Sequence, residues 1–135
     1  MSKENVEVVR LAVDAFNRRD LATLGDLSDQ DFEFVSVLTA VDAQAATYRG
    51  QDGWSRYFTD IDRVWKNWHI EGLRVFDGAD DRLAATFQVT GQGRQSGAAV
   101  ERIVGITYRL RGGKIWRMRS FLEPTEALKA IGLEE

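Results

Sequence analysis

The stretch AFNRRDLATLGDLSDQDFEF, Ala15 to Phe34, constrains the fold of this chain more than any other. It ends one amphipathic helix, begins a second and delivers the chain into a strand. Upstream, over residues 4–17, the apolar side chains Val6, Val9, Val13 and Phe16 recur at helical spacing. Ser2 is placed to cap this helix, and Arg18 and Arg19 lie at the negative end of its dipole. Asp20 then caps a short helix carrying Leu21, Leu24 and Leu27, and the polar run over 28–31 stops it. From Phe32 to Leu38 the pattern changes to alternation, with Phe32, Phe34, Ser36 and Leu38 on one face, which predicts a strand.

Beyond this point the chain becomes less regular and then regular again. Residues 39–50 are small, polar and weakly patterned, as in a loop that borders a site. Asp52 is placed to cap a third helix whose apolar stripe is Trp54, Phe58, Ile61, Trp65 and Trp68. Strands are predicted over 70–76, 82–90, 99–110 and 114–122, separated by Asp/Gly or Gly-rich turns, which makes an antiparallel meander. Pro124 and Gly132 bracket a last helix packed through Ala127, Leu128 and Ile131. This order places helices on one face of a curved antiparallel sheet with room for a cavity between them.

The 135 residues, 44% of them hydrophobic, suffice for one continuous core, so a single domain over 1–135 is expected. Without Cys there is no disulfide, thiolate nucleophile or thiolate metal site. No apolar run approaches the about 20 residues of a membrane span, and MSKENVEVVR lacks a signal peptide's apolar segment, so a cytoplasmic protein without membrane contact is expected. A net charge of −3 argues against nucleic acid as partner.

Two stretches, the opening run and YRLRGGKIWRMRSF followed by EALKAIGL, resemble the SnoaL-like branch of the nuclear transport factor 2-like superfamily, and YRGQDGWSRYF in the middle is similar too. The resemblance implies an α+β cone, a curved antiparallel sheet wrapped around N-terminal helices (the NTF2-like or cystatin-like α+β barrel). It also implies a homodimer and a deep pocket for a small hydrophobic or polycyclic molecule. The family's steroid isomerases, polyketide cyclases and epoxide hydrolases imply cofactor-independent acid/base chemistry. In ketosteroid isomerases an Asp base works beside a Tyr and a protonated Asp. Counting from Asp20, Asp31 and the GKI landmark, the corresponding positions here are Ser36, Ala12 and Ile106, none of which supplies that chemistry. Polyketide cyclases and limonene-type epoxide hydrolases place a catalytic Asp close to the position of Ser120.

Period-two bookkeeping on the strands, joined to the family geometry, gives the expected pocket lining: Phe16, Phe34, Ser36, Tyr57, Trp65, Phe87, Arg102, Val104, Ile106, Met118 and Ser120. It puts Trp116 on the inner face with Met118, and Arg117, Arg119 and Phe121 on the outer face. No carboxylate falls in this lining. Arg102 stands on an otherwise apolar face, where it either binds a ligand carboxylate or enolate or reaches solvent and pairs with Asp14, Glu33 or Asp62. Arg102, Tyr108 and His69 are the catalytic candidates, His69 only if it turns inward. A lone His without a spaced partner makes no zinc site, so no metal and no cofactor are expected. GQGRQSG, Gly91 to Gly97, lies between two strands and reads as a hairpin turn rather than a dinucleotide fingerprint. The cluster Arg109, Arg111, Lys114, Arg117 and Arg119 fits the outer face of a sheet used in homodimer contact or solvated. The same pocket without an acid/base pair would leave a non-catalytic binding or dimerisation module.

Overall fold

A computed structural model describes residues 2–37 and 46–132, with the Ser2 side chain, and hence its capping role, outside the described residues. α1 (Ser2–Arg18) buries Val9, Ala12, Val13 and Phe16. It closes in a Schellman motif, with the Asp20 N–H donating to Ala15 O at 2.9 Å, the Arg19 N–H donating to Phe16 O at 3.1 Å, and Arg19 in the left-handed region at φ 59. Asp20 then caps α2 (Leu21–Leu27), accepting from the Thr23 backbone N–H at 3.1 Å and the Thr23 hydroxyl at 2.7 Å. β1 (Ser28–Ser36) begins earlier than the apolar alternation, because Ser28 already pairs with Ile115. Leu38, the expected last residue of this strand, lies outside the described residues.

The segment expected as a loop contains β2 (Ala46–Arg49), which pairs with β1; its residues 39–45 lie outside the described residues. α3 (Gly53–Val64) has Asp52 at its N-cap without a capping side-chain bond. It stops before the end of the apolar stripe, and Trp65 and Trp68 belong to β3 (Trp65–Asp77). Between the pairs Lys66 with Gln92 and His69 with Thr90, two residues of β3, Asn67 and Trp68, oppose one of β4, Gly91, and Asn67 takes φ 55. This bulge lets Trp65 and Trp68 reach one side although they are three apart, so helical spacing continues into a strand.

The meander then runs through β4 (Arg82–Gly93), β5 (Ala99–Arg111) and β6 (Lys114–Phe121). Of the segment expected as a hairpin turn, Gly91, Gln92 and Gly93 belong to β4, and Arg94, Gln95, Ser96 and Gly97 lie in the β4–β5 turn. The six strands form one sheet in the order β2-β1-β6-β5-β4-β3. All neighbours are antiparallel except β1 and β6, which are parallel, so the sheet is mixed. It curves around the helices without closing, since β2 and β3 remain its two edges. The main core lies between α1–α3 and the concave face, built on Phe16, Phe34, Trp54, Tyr57, Phe58 and Trp68.

Two expectations about faces are corrected. The last helix, α4 (Pro124–Ala130), lies on the opposite face, where Ala127, Leu128 and Ile131 form a second cluster with Ala84. Gly105 makes room for it, because a Cβ there would lie 2.7 Å from the Ala127 Cβ and 3.1 Å from the Pro124 Cα. On β6 the register shifts so that Leu110 meets Ile115 and Arg109 meets Arg117. Trp116 is the extra residue: Ile115 takes the buried inner place, and Trp116 packs against Arg109, Arg111 and Arg117 instead. Among the described residues no helix is long and apolar enough to cross a membrane.

Candidate functional site

Two cavities follow one another along the trough between α3 and the sheet. The inner one has a volume of about 30 Å³ and is lined by Ala12, Phe16, Phe34, Tyr57, Phe87, Ile106, Tyr108 and Met118, among others. That is space for a single water, far below the roughly 300 Å³ at which ligand pockets begin. The Tyr57 phenol hydrogen-bonds Ser36, and burial raises the pKa of Tyr57 and of Tyr108, so both stay protonated at neutral pH. Ser120 is also tied, its hydroxyl accepting the Val37 backbone N–H at 2.8 Å. Ala12 and Ile106, the positions corresponding to the isomerase Tyr and acid, line this small space and offer no proton.

One turn further along α3 and one inward position further along β4 and β5, the trough opens into an outer cavity of about 270 Å³. Ile61 and Val64 of α3, Trp65 and Trp68 of β3, and Val89 of β4 make its apolar wall, with Val37, Val100 and Leu122 toward its rim. Trp68 is fixed on three sides. Its indole N–H donates to Asp62 at 2.9 Å, its ring stacks on Phe58 at 5.6 Å, and the Arg19 guanidinium lies 3.2 Å from its ring centroid. Gly91 permits the approach, since a Cβ at that position would meet the Trp68 Cβ at 3.2 Å.

Among the described residues, Arg102 is the only charged side chain in either lining. Its side chain is 49% exposed, and its Nη2 reaches the Leu122 carbonyl and Glu123 Oε1, both at 3.4 Å. Those contacts are long for charge-assisted bonds, so most of the guanidinium's donor capacity is unused by the described residues. The partner is Glu123, rather than Asp14, Glu33 or Asp62. The site can therefore hold an apolar body against tryptophan and direct an anionic group to Arg102. Among the described residues neither lining contains a carboxylate or an imidazole, and no group of three or more His, Cys, Asp or Glu side chains is arranged to hold a metal.

The structure divides the expected pocket set. Phe16, Phe34, Tyr57, Phe87, Ile106 and Met118 line the inner cavity, while Trp65, Arg102 and Val104 line the outer one. Ser36 and Ser120 are buried and line neither. Tyr108 borders the inner cavity, and His69 is exposed on β3 and lines neither cavity. Trp68, Val100 and Leu122 were not in the expected set, whereas Val89 falls, with Phe87, on the inward face that alternation predicts for this strand. Val100 shares a β5 face with Arg102 and Val104 in the sequence pattern, but the role of Trp68 depended on the bulge.

The profile of the SnoaL-like domain family matches residues 9–118. A comparison with curated proteins gave no match. Solved structures of like fold include TerC crystallised with polyporic acid, at 18% identity and TM-score 0.77, covering 95% of this chain and 97% of that one. An NTF2-like protein from Burkholderia thailandensis E264 matches at 22% identity and TM-score 0.76, covering 92% and 96%. A putative polyketide cyclase from Xanthomonas campestris pv. campestris matches at 14% identity and TM-score 0.75, covering 97% and 98%. At these identities the likeness is one of fold.

Proposed function

The chain belongs to the SnoaL-like domain family, and from that premise we propose that it binds a small, largely apolar molecule bearing one acidic group in the outer cavity. The observation that carries this reading is the pairing of a tryptophan-walled space of about 270 Å³ with a single, weakly engaged arginine at its rim. The inner cavity is too small for the ligand. The polar groups around it are neutral phenols and hydrogen-bonded serines, which suit packing better than proton transfer. Binding without acid/base turnover is thus the reading favoured by the described residues. A cytoplasmic location, expected from the sequence, belongs to the same proposal.

Thermal melting with 2-naphthoate and with its amide tests the proposal. A ligand at a hundred times its Kd stabilises by about 2.7 kcal/mol, which for a domain of this size raises Tm by several degrees. The acid is expected to do so, and Arg102→Gln to weaken it about tenfold while leaving the amide's weaker effect unchanged. Val89→Trp, which fills the cavity, is expected to abolish both responses. No stabilisation by either compound at saturation, or an unchanged response in Val89→Trp, would overturn the reading.

A further inference from the structure

The face of the sheet opposite the cavities carries a charge pattern that strand order alone creates. One rung of directly paired residues crosses five strands, from β2 through β1, β6 and β5 to β4, and reads Arg49, Glu33, Arg117, Arg109, Arg82. Paired residues project on the same side about 5 Å apart, and like charges so placed repel. Arg117 faces Arg109 and Arg109 faces Arg82, yet the rung holds one carboxylate. Glu33 is engaged by Arg49 at 2.9 Å and lies 4.0 Å from Arg117. Among the described residues Arg82, Arg109 and the neighbouring Arg119 have no ion-pair partner.

These arginines do not stand on a flat surface. Arg82, Arg109, Arg117 and Arg119 line a groove of about 370 Å³ that also presents Thr107 and the Glu33 carboxylate already engaged by Arg49, and that is bounded by the end of α4 at Ala130 and Ile131. Trp116 lies under the Arg109 and Arg117 guanidinium groups at 5.5 and 4.1 Å, which restrains both and reduces the entropy they lose on binding a ligand. We propose that this groove is a second binding site, for a small polyanion of the phosphoester or polycarboxylate class carrying at least two negative charges. The ligand supplies the carboxylate or phosphate oxygens that the rung lacks, and planar guanidinium groups match such oxygens in pairs. A long nucleic acid is a poorer fit, because the chain as a whole carries a net charge of −3 and α4 bounds the groove on one side. A second copy apposed on the same face would bring two arginine rungs together.

The site is independent of the outer cavity, so its test stands or falls separately. The probe is inorganic pyrophosphate, titrated calorimetrically and by thermal melting, with NaCl holding ionic strength constant. The parent protein is expected to bind it saturably and to melt higher, and Arg109→Gln and Arg119→Gln each to weaken binding at least tenfold. Without ligand, Arg109→Gln is expected to melt at or above the parent, since it removes a repulsion, whereas a purely structural arginine would lower Tm on removal. Arg102→Gln is expected to bind pyrophosphate unchanged. A response no larger than that to NaCl, or equal binding by the Arg109 and Arg119 variants, would overturn the proposal. So would sedimentation showing a dimer that Arg109→Gln dissociates, or binding that appears only in Glu134→Gln/Glu135→Gln, which would assign the groove to a second copy or to the chain's own acidic end.

Discussion

Asn17 does at one residue what a strand neighbour does along a whole edge. Its side-chain amide donates to the Ile70 carbonyl at 2.8 Å and accepts the Ile70 N–H at 2.9 Å, tying the end of α1 to β3. Each bond is worth about 1 kcal/mol net, and its loss leaves a partly buried backbone group without that partner. Asn17→Ala is expected to cost about 2 kcal/mol in urea unfolding, against a few tenths for an exposed change such as Glu7→Ala. The neighbouring residues of the opening run are as specialised, Phe16 in the aromatic core, Arg19 on Trp68 and Asp20 as cap. The cap was legible because its partner lies three residues away. The partners of Asn17 and Arg19 lie 53 and 49 residues away, and no local pattern encodes them.

At the scale of elements, periodicity located α1, α2 and the four-strand meander, and it failed where an element departs from its own period. Trp65 and Trp68 continued the spacing of α3 from inside a bulged strand, and Trp116 left the inner face because β6 carries an extra residue. The side of the sheet taken by α4 was likewise open. Ala127, Leu128 and Ile131 define an apolar face but not which sheet face receives it. Gly105, on the outer side of β5, was the one local clue, since a glycine within a strand marks a close approach. Gly105→Ala places a methyl 2.7 Å from the Ala127 Cβ, so α4 must shift. A loss of about 1–3 kcal/mol is expected in denaturant unfolding, with amide exchange accelerated first in α4.

For the molecule as a whole, the acid and alkaline limits of stability come from different places. Asp20, through Thr23, and Asp29, through Arg111, have their carboxyl pKa values lowered in the folded state. Their contribution is therefore complete above the unfolded value of about 4 and is lost as pH falls through the lower folded values. Tyr57 and Tyr108 have theirs raised by burial, so their contribution is complete below about pH 10 and is lost as pH rises through the folded values. Urea midpoints measured from about pH 3 to about pH 11 are expected to form a plateau with two falling limbs. Asp29→Asn should flatten the acid limb without moving the alkaline one, and Tyr57→Phe should do the reverse. A single limb shared by both variants would contradict this assignment.

The sequence by itself determined the order of the elements apart from β2, the family resemblance, and the presence of Ala12, Ser36 and Ile106 at the positions counted for the isomerase residues, because each rests on side-chain identity and spacing over short distances. Arg102 could also be singled out from its strand face alone. Whether the trough was open or filled was decided only by the tertiary structure. A volume is the small difference between the space enclosed by a sheet and the side chains packed into it, and bulky residues on the same inner faces leave about 30 Å³ at one level and about 270 Å³ at the next. The arginine rung is of the same kind. Its members are scattered from Arg49 to Arg117 along the chain and become neighbours only once the strand order and register are set.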